Sequence, residues 1–405
     1  MVANFNMNKK SLNSEVVKAA RWQISTTPHQ LPLFASSSFS FDNTDQGIDI
    51  FTGKQIGHVY SRYGNPTIDA VAQKIANLET YHMDEEGFGL LCSSGMAAIS
   101  TLLYSLCEAN DSVLTQANLY GGTTELFNKI LVKHGIHPIF TNLKDIDGVE
   151  ACLRSQPAIK VIYAETPTNP TLDCIDIRKL AALAKSYDKY LVVDNTFCTP
   201  IIQRPLELGA DFVVHSTTKF LNGHGNSIAG VIVSHRYELK SQIWQCLKLM
   251  GSTCNVWDAW LLDNGMRTLA LRMRQHSDNA MALASFLEQQ SGKVKKVNYC
   301  GLSSHQDHTV AASQMSSYGG MLSFELDTDL RGTIRFIDAL QFCTQAPTLG
   351  DVDTLVLHPA TSSHLNVDPS IRADIGVTDS LVRVSVGIED FEDIKNDIIQ
   401  ALDKV

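Results

Sequence analysis

The sequence lacks the patterns that mark several large classes of protein. Its 405 residues include 33 basic and 43 acidic side chains, and the net charge of -10 argues against nucleic acid or an anionic membrane as a partner. No apolar run approaches the ~20 residues that a membrane-spanning helix needs, and the N-terminal segment has no apolar core of the signal-peptide kind. The motifs GxGxxG and GxxxxGK followed by Ser or Thr are missing, so dinucleotide and nucleoside triphosphate binding are not supported.

Disulfide and metal-binding patterns are missing as well. The nine cysteines are scattered, mostly within apolar segments, without a CxxC pair, and we therefore expect reduced, buried thiols and a cytoplasmic location. The thirteen histidines form no HExxH motif and no pairing with cysteine, so no metal site is predicted. Two close pairs, His305 with His308 and His358 with His364, are more typical of surface loops than of metal ligands.

Short apolar segments alternate with amphipathic segments through much of the chain. The predicted strands are FGLLCS, DSVLTQ, HPIFTN, KVIYAE, YLVVDN, DFVVHS and AGVIVS, and the helices between them include GMAAISTLLYSL, GTTELFNKILVKH and DIRKLAALAKSY. Because Val- and Ile-rich strands with intervening helices are typical of a parallel sheet covered on both faces, we predict an α/β fold with a large, mostly parallel sheet. The strands end in polar residues, which lie at the edge where open α/β sheets bind ligands.

The pattern changes at about Trp257. A long helical stretch with one interruption, at Gly265, comes first, and the strand-like segments MLSFELDT, TLVLHP and LVRVSVG follow it. We predict three parts: an extended N-terminal arm with one short N-terminal helix at residues 1–61, a large domain at 62–257, and a smaller C-terminal α/β domain with an antiparallel sheet at 258–405.

Lys219 carries the strongest chemical signal. It lies in DFVVHSTTKFLNGHG, just after a predicted strand, and apolar surroundings favour the neutral, nucleophilic form of a lysine. Asp194 ends the apolar segment LVVDNT upstream. A lysine that can form a Schiff base and an acid that can keep a pyridine nitrogen protonated are what a pyridoxal phosphate (PLP) site requires. The alternative for a lone lysine at a strand end is a solvated loop charge.

Two segments around this lysine are suited to a phosphate. CSSGMAAI follows a strand and opens a helix, so the backbone N–H groups of Gly95 and Met96 can face an anion, with the helix dipole behind them. HSTTK adds the hydroxyls of Ser216 and Thr218 beside Lys219. Each segment alone also fits a turn that merely packs or caps, but together they bracket one lysine.

Five further polar residues have both a functional and a structural interpretation. Tyr120, in ANLYGGTTELF, can stack on a flat ring and act as an acid or base, or be a buried aromatic residue. Asn169, in AETPTNPT, can bind a ring oxygen or a carboxylate, or be a turn residue. Arg383 lies in the apolar strand LVRVSVG and needs an anion, either a substrate α-carboxylate or a structural ion-pair partner. Tyr60 and Arg62, in YSRYGNPT, are either solvated or reach a neighbouring subunit's phosphate.

Together and in this order, the motifs resemble the PLP-dependent enzyme family of cysteine and methionine metabolism, which includes cystathionine γ-synthase, cystathionine lyases, methionine γ-lyase and homoserine-ester sulfhydrylases. The resemblance extends from about Pro32 to the C-terminus, and the motifs that carry it are YSRYGNPT, SSGMAAI, LYGGT, ETPTNPT, DNTF, HSTTKFLNGHG, LGDVDTLVLHP and RVSVGIED. It implies a fold-type-I enzyme, similar to aspartate aminotransferase, with a seven-stranded sheet in its large domain. It also implies PLP as cofactor, an amino acid as small-molecule substrate, and a homodimer with shared sites that usually pairs into a tetramer.

The resemblance further implies a role for each matched position. Lys219 would bind the cofactor and carry the proton of the substrate Cα, and Asp194 would face the pyridine nitrogen. Tyr120 would stack on the ring and donate a proton to the leaving sulfur. The implied phosphate-binding residues are Gly95, Met96, Ser216 and Thr218, with Tyr60 and Arg62 from the adjacent subunit. The implied substrate-binding residues are Arg383, Asn169 and Thr348, the last at a position where relatives usually carry serine.

Fewer positions bear on the branch of the family. Methionine γ-lyases commonly carry cysteine where this chain has Gly122, and cystathionine enzymes often carry glutamate where Asp353 stands. GHGNSIAG and VDTLVLHPATSSH look more like the lyase and sulfhydrylase branches than the synthase. We predict γ-elimination on methionine or cystathionine, giving 2-oxobutanoate, ammonia and a thiol. The alternatives are γ-replacement, as in an O-acetyl- or O-succinylhomoserine sulfhydrylase or cystathionine γ-synthase, and a catalytically silent scaffold of the same fold.

Overall fold

Two β-sheets organise the chain. The computed structural model describes residues 28–363, 365, 372–373 and 375–405, and residues Leu33–Val405 form one compact unit. The strands of the first sheet are β1 (Phe88–Cys92), β2 (Ser112–Thr115), β3 (His137–Phe140), β4 (Ile159–Glu165), β5 (Tyr190–Asp194), β6 (Phe212–Ser216) and β7 (Gly230–Ser234). Those of the second are β8 (Val294–Asn298), β9 (Met321–Leu326), β10 (Thr344–Gln345), β11 (Leu355–Leu357) and β12 (Leu381–Ser385).

Helices connect these strands. They are α1 (Thr44–Phe51), α2 (Pro66–Glu79), α3 (Gly95–Leu106), α4 (Gly121–Glu125), α5 (Ile146–Ser155), α6 (Ile177–Ser186), α7 (Thr199–Ile202), α8 (Tyr237–Met250), α9 (Val256–Met266), α10 (Leu269–Glu288), α11 (His308–Gln314), α12 (Leu330–Ala339) and α13 (Phe391–Leu402). No helix in the described part of the chain is both long and apolar enough to cross a membrane.

The first sheet has seven strands in the order β1-β7-β6-β5-β4-β2-β3. Strands β2 to β6 pair in parallel, and β7 runs antiparallel to both β1 and β6. Helices α3 and α8 cover one face, where Leu102 and Ile243 are fully buried, and α5 and α6 cover the other, where Leu153 and Leu180 are buried. The predicted α/β fold with a large, mostly parallel sheet is confirmed.

The second sheet has five strands in the order β10-β11-β12-β9-β8 and is antiparallel except for the short β10–β11 pair. Its core includes Phe324 and Phe336, which contact each other edge to face at 5.8 Å between ring centroids. The sequence analysis did not predict β8 or β10, because β8 carries lysines on an exposed face and β10 has two residues.

Local sequence determines where several helices begin. Helix α2 begins after Asn65, whose side chain accepts a hydrogen bond from the backbone N–H of Thr67, and proline occupies its first position. The helical stretch predicted after Trp257, with its interruption at Gly265, consists of two helices that separate after Met266. Gly265 belongs to the first of them, and a Cβ there would lie 2.2 Å from the carbonyl oxygen of Asn222.

Two other segments differ from their prediction or lie partly outside the described residues. The helix expected over GTTELFNKILVKH begins as α4 but continues as a π-helical turn at Leu126–Ile130 and a 3-10 turn at Leu131–His134. Much of the predicted N-terminal arm, residues 1–27, lies outside the described residues. The later part of the arm contains the short helix α1, which lies between the loop segments SSSFSFDN and GKQIGH.

Candidate active site

The carboxyl ends of β4, β5 and β6 and the start of α3 meet at one edge of the large sheet. A cleft of about 220 Å³ lies there, as expected for an open α/β sheet. Its lining includes nine of the residues selected from the sequence, namely Gly95, Met96, Tyr120, Asn169, Asp194, Ser216, Thr218, Lys219 and Arg383. These residues come from segments that are far apart in the chain, and the fold brings them together.

Lys219 follows β6 by three residues and is partly buried. Its Nζ donates a hydrogen bond to Oγ1 of Thr348 at 3.0 Å. Burial lowers the pKa of the Lys219 amine, and the nearby positive charge of Arg383 lowers it further, while Asp351 acts in the opposite sense. The side chain is therefore biased toward the neutral form that can attack a carbonyl or accept a proton.

Asp194 is the last residue of β5, and three donors surround its carboxylate. Oδ1 accepts hydrogen bonds from the backbone N–H of Thr196 at 3.0 Å and from its hydroxyl at 2.5 Å, and Oδ2 accepts one from the hydroxyl of Tyr163 at 3.2 Å. Burial raises the pKa of Asp194, and the hydrogen bonds from Thr196 oppose that rise. The donors fix the orientation of a carboxylate that borders the cleft.

Glu165, the last residue of β4, is a second buried acid in the cleft wall. Its Oε2 accepts a hydrogen bond from the backbone N–H of Tyr120 at 2.8 Å, and its Oε1 accepts one from the backbone N–H of Asn169 at 3.1 Å. Burial, with a further contribution from Asp194, raises the pKa of Glu165 to about 8.

The start of α3 is the part of the cleft suited to an anion. Ser94 caps the helix by accepting a hydrogen bond from the N–H of Ala97 at 3.0 Å, and the first N–H groups of a helix have no partner within it. Gly95 is required here, because a Cβ would lie 2.7 Å from the Cβ of Ser216. The hydroxyl of Thr218 lies 3.2 Å from both the backbone nitrogen and the carbonyl oxygen of Ala229.

Arg383 reaches the cleft from β12 in the second sheet and is 4% exposed. Its Nη2 donates to the backbone oxygen of Thr348 at 2.8 Å, and its Nη1 lies 3.5 Å from Oδ1 of Asn169. Its Nε has no hydrogen-bond partner among the described residues. Burial lowers the pKa of Arg383 to about 10. The hydrogen bonds recorded for this buried cation go to neutral oxygens, so they do not favour the structural ion pair considered from the sequence.

Tyr120 precedes α4, and its side chain is 49% exposed at the cleft. A Cβ at Gly122 would lie 2.6 Å from a carbon of the Tyr120 ring. The exposure is unlike that of a fully buried aromatic residue, which was the alternative considered for Tyr120.

Tyr60 and Arg62 are not among the residues that line this cleft. Arg62 donates from Nη1 to the backbone oxygen of Lys248 at 2.7 Å, and its guanidinium lies 5.0 Å from the centre of the Tyr63 ring. Tyr60 is 42% exposed. A single chain therefore does not bring these two residues to the cleft that contains Lys219.

The sequence analysis did not select several residues that border the cleft or hold its groups. These are Ser94, Tyr163, Glu165, Thr196, Phe197, Pro347 and Leu349. Glu165 and Thr196 lie within the quoted motifs ETPTNPT and DNTF, so the signal was present for both. Tyr163 is an apolar-looking strand residue in sequence, and its hydroxyl contact with Asp194 emerges only from the pairing of β4 with β5.

The residues of the cleft fit PLP. An amine with a lowered pKa and a carboxylate held by three donors are present. The glycine at the start of α3 lets the backbone of that helix lie against Ser216, leaving N–H groups for a phosphate. The buried Nε of Arg383 is a donor that has yet to be used.

Comparison with known proteins bears on the same point. The family model for Cys/Met metabolism PLP-dependent enzymes matches residues 13–403. The chain is 43% identical to cystathionine beta-lyase of Lactococcus lactis subsp. cremoris over 352 residues, which cover 87% of this chain and 90% of that protein. It is 41% identical to L-methionine gamma-lyase of Pseudomonas putida over 372 residues, which cover 92% of each.

A solved structure agrees in fold. That of cystathionine gamma synthase from Xanthomonas oryzae pv. oryzae, in complex with cystathionine, superposes with a TM-score of 0.86 at 36% identity and covers 93% of each chain. The resemblance inferred from the motifs is thus confirmed, and the chain belongs to the family of PLP-dependent enzymes of cysteine and methionine metabolism.

Proposed function

We propose that this enzyme catalyses γ-elimination on methionine or cystathionine, consuming water and releasing a thiol, 2-oxobutanoate and ammonia. The observation that carries the proposal is the cleft itself, where the amine of Lys219 and the buried guanidinium of Arg383 lie with the carboxylate of Asp194. This combination suits an α-amino acid whose Cα–H bond must be broken. The 41% identity to an L-methionine gamma-lyase supports elimination at the γ carbon.

PLP, when bound, supplies an electron-accepting ring that stabilises negative charge at the substrate α-carbon. Asp194 would face the ring nitrogen and keep it protonated, which is a task suited to a carboxylate oriented by Thr196 and Tyr163. The start of α3, with Gly95 and Met96, would bind the phosphate. Ser216 and Thr218 would add their hydroxyls to the same anion.

Lys219 would hold the cofactor in the resting enzyme and move the proton of the substrate Cα in the reaction. Its hydrogen bond to Thr348 sets the position of Nζ at 3.0 Å from a neutral oxygen, so the amine is oriented by a group that carries no charge. Arg383 and Asn169 would bind the α-carboxylate through their N–H groups, and the backbone oxygen of Thr348 would orient the guanidinium by accepting a hydrogen bond from it. Tyr120 would stack on the ring and donate a proton to the departing sulfur.

We also propose a homo-oligomer in which Tyr60 and Arg62 bind the phosphate in a neighbouring subunit's cleft, with the dimer as the minimal unit and a tetramer as the full assembly. Support comes from the position of both residues away from their own cleft, and from exposed apolar side chains on the same chain, including Phe51, Ile56 and Trp257.

The predicted division of the chain remains a proposal. Residues 62–257 would form the PLP-binding domain, and residues 258–405 would supply Arg383 from β12 and Thr348 from the loop between β10 and β11. We further propose a cytoplasmic location, which the nine free cysteines support.

A substrate panel tests the proposed reaction. The purified enzyme is incubated with PLP and one of three substrates: methionine, cystathionine, or O-acetylhomoserine with sulfide. Dominant 2-oxobutanoate from methionine or cystathionine is expected. Dominant homocysteine from the ester would establish γ-replacement instead, and pyruvate from cystathionine would establish β-elimination, a candidate that the 43% identity to a cystathionine beta-lyase favours.

The Lys219→Ala variant is the control for the panel. It should fold and lose turnover with every substrate, because no other amine lines the cleft among the described residues. An unmodified enzyme that binds no PLP and stays colourless would instead support the catalytically silent scaffold.

A further inference from the structure

We propose that Glu165 is a positioning residue that fixes the backbone of Tyr120 relative to the backbone of Asn169. This inference deepens the proposed function, because those two residues are the proposed proton donor and a proposed carboxylate ligand. The carboxylate is 6% exposed and lies between the two segments, with Oε2 2.8 Å from the nitrogen of Tyr120 and Oε1 3.1 Å from the nitrogen of Asn169.

The backbone of Glu165 is itself held in place. Its N–H donates to Oε1 of Gln116 at 3.2 Å, and its carbonyl oxygen accepts from Nε2 of Gln116 at 2.7 Å. Gln116 follows β2, which pairs with β4. The carboxylate of Glu165 therefore projects from a backbone segment that is hydrogen-bonded to the neighbouring strand's end. Tyr120 and Asn169 lie in loops, and each gains a fixed point from this one side chain.

The chemistry of the two contacts explains why a carboxylate stands here. Two backbone N–H groups from different segments need two acceptor oxygens on one side chain, and above its raised pKa the carboxylate of Glu165 has two acceptors and no donor. A glutamine would direct its amide hydrogens at one of the N–H groups. Burying the charge beside Asp194 is unfavourable, as the raised pKa of Glu165 reflects, and the hydrogen bonds from the two backbone N–H groups offset part of that penalty.

The expected catalytic consequence concerns the leaving group. If Glu165 sets the height of Tyr120 over the cleft, its loss should impair substrates that need a proton on the departing atom more than substrates that do not. The methanethiolate that departs from methionine needs that proton, whereas acetate leaves O-acetylhomoserine as a stable anion. Both substrates present the same α-carboxylate and the same α-proton, so the ratio of their kcat values isolates the proton donor.

The test compares Glu165→Gln with the unmodified enzyme by two measurements. Hydrogen–deuterium exchange of peptides containing the amides of Tyr120 and Asn169 should become faster in the variant, because one of the two N–H groups loses its acceptor. The kcat for methionine should fall at least about tenfold further than the kcat for elimination from O-acetylhomoserine, as expected for a displaced hydrogen-bonding group.

Two further variants complete the design. Glu125→Gln changes an exposed glutamate in α4, the helix that follows Tyr120. The partner of Glu125 is Lys129 at 2.6 Å, and this variant should alter neither measurement. Glu165→Asp keeps both acceptors and the charge on a side chain one methylene shorter. It should give intermediate exchange and an intermediate kcat ratio, and it replaces Glu165→Gln if the glutamine variant does not fold.

Unchanged exchange at both amides would overturn the proposal, whatever the activity does. Faster exchange with an equal loss of kcat for the two substrates would also overturn it, because Glu165 would then be a structural residue only. Failure of the proposed function gives a different result: the unmodified enzyme would not release 2-oxobutanoate from methionine, while the exchange comparison would still decide whether Glu165 anchors the two loops.

Discussion

Replacement of Arg383 by lysine tests how the substrate is held. The change keeps one positive charge in β12 but removes the planar set of N–H donors, including the Nε that has no partner among the described residues. A hydrogen bond between charged groups contributes about 1.5–3 kcal/mol, and 1.4 kcal/mol corresponds to a factor of ten. Loss of one of the two bonds that a guanidinium can make to a carboxylate should therefore lower kcat/KM by roughly 10–100-fold.

The assay compares methionine with its α-carboxamide. The unmodified enzyme should prefer the carboxylate strongly, and Arg383→Lys should lose much of that preference because the interaction removed is the one that distinguishes the two substrates. Arg272→Lys is the matched control: Arg272 is 3% exposed, and its guanidinium bonds to the backbone oxygens of Phe220, Leu221 and Gly265 rather than facing the cleft. Its variant should keep the preference even if overall activity falls.

If Arg383→Lys discriminates between carboxylate and carboxamide as well as the unmodified enzyme does, Arg383 does not bind the substrate carboxylate. In that case the buried guanidinium would serve only to hold Thr348 and Asn169 in place, and another group would bind the substrate. A loss of folding in the variant is detected separately by its unfolding midpoint.

Three other changes address parts of the molecule that support the cleft. Burial lowers the pKa of His276 to about 4 from an ordinary 6.5. Between these pH values the imidazole is protonated in the unfolded state and neutral in the folded state, so the fold loses stability as the pH falls. The His276→Gln variant should lose less stability over the same pH range. Glu79→Ala leaves the buried His215 without its partner at 2.7 Å and should lower the free energy of unfolding by about 1–3 kcal/mol in chemical denaturation. Gly350→Ala places a Cβ 2.6 Å from the backbone nitrogen of Phe220. Because Phe220 follows Lys219, the added group should displace the lysine and reduce PLP retention in dialysis.

Each of these has a result that would contradict it. An unfolding midpoint that falls with acid as steeply in the His276 variant as in the original enzyme would show that other groups dominate. A Glu79→Ala variant of unchanged stability would mean that water replaces the lost partner. For Gly350→Ala the control is Gly292→Ala, which has the same left-handed backbone, φ +86 against +85, but no atom within 4 Å of the added Cβ; equal PLP retention in the two variants would exclude the contact as the cause.

The sequence predicted the large sheet well, because its strands are short apolar runs that end in polar residues. It also selected nine residues that line one cleft, since Lys219 and Asp194 follow adjacent parallel strands whose carboxyl ends must lie at the same edge. Glu165 was not selected, because the hydrogen bonds that give it a task depend on the path of two loops. Tyr60 and Arg62 are a different case, as the contacts proposed for them lie in another subunit.

The charged residues of the cleft could not all be selected from the sequence, because their electrostatic balance depends on the fold. Burial pushes the pKa of each acid, Asp194 and Glu165, upward and that of each base, Lys219 and Arg383, downward. Every one of these groups is thus less stable in its charged form than it would be in water. A ligand that brings a cationic ring nitrogen and an α-carboxylate has the opposite charge where Asp194 and Arg383 need it, so its binding should stabilise the fold as well as begin the reaction. The balance involves four charged groups on four different segments of the chain, and no single motif contains more than one of them.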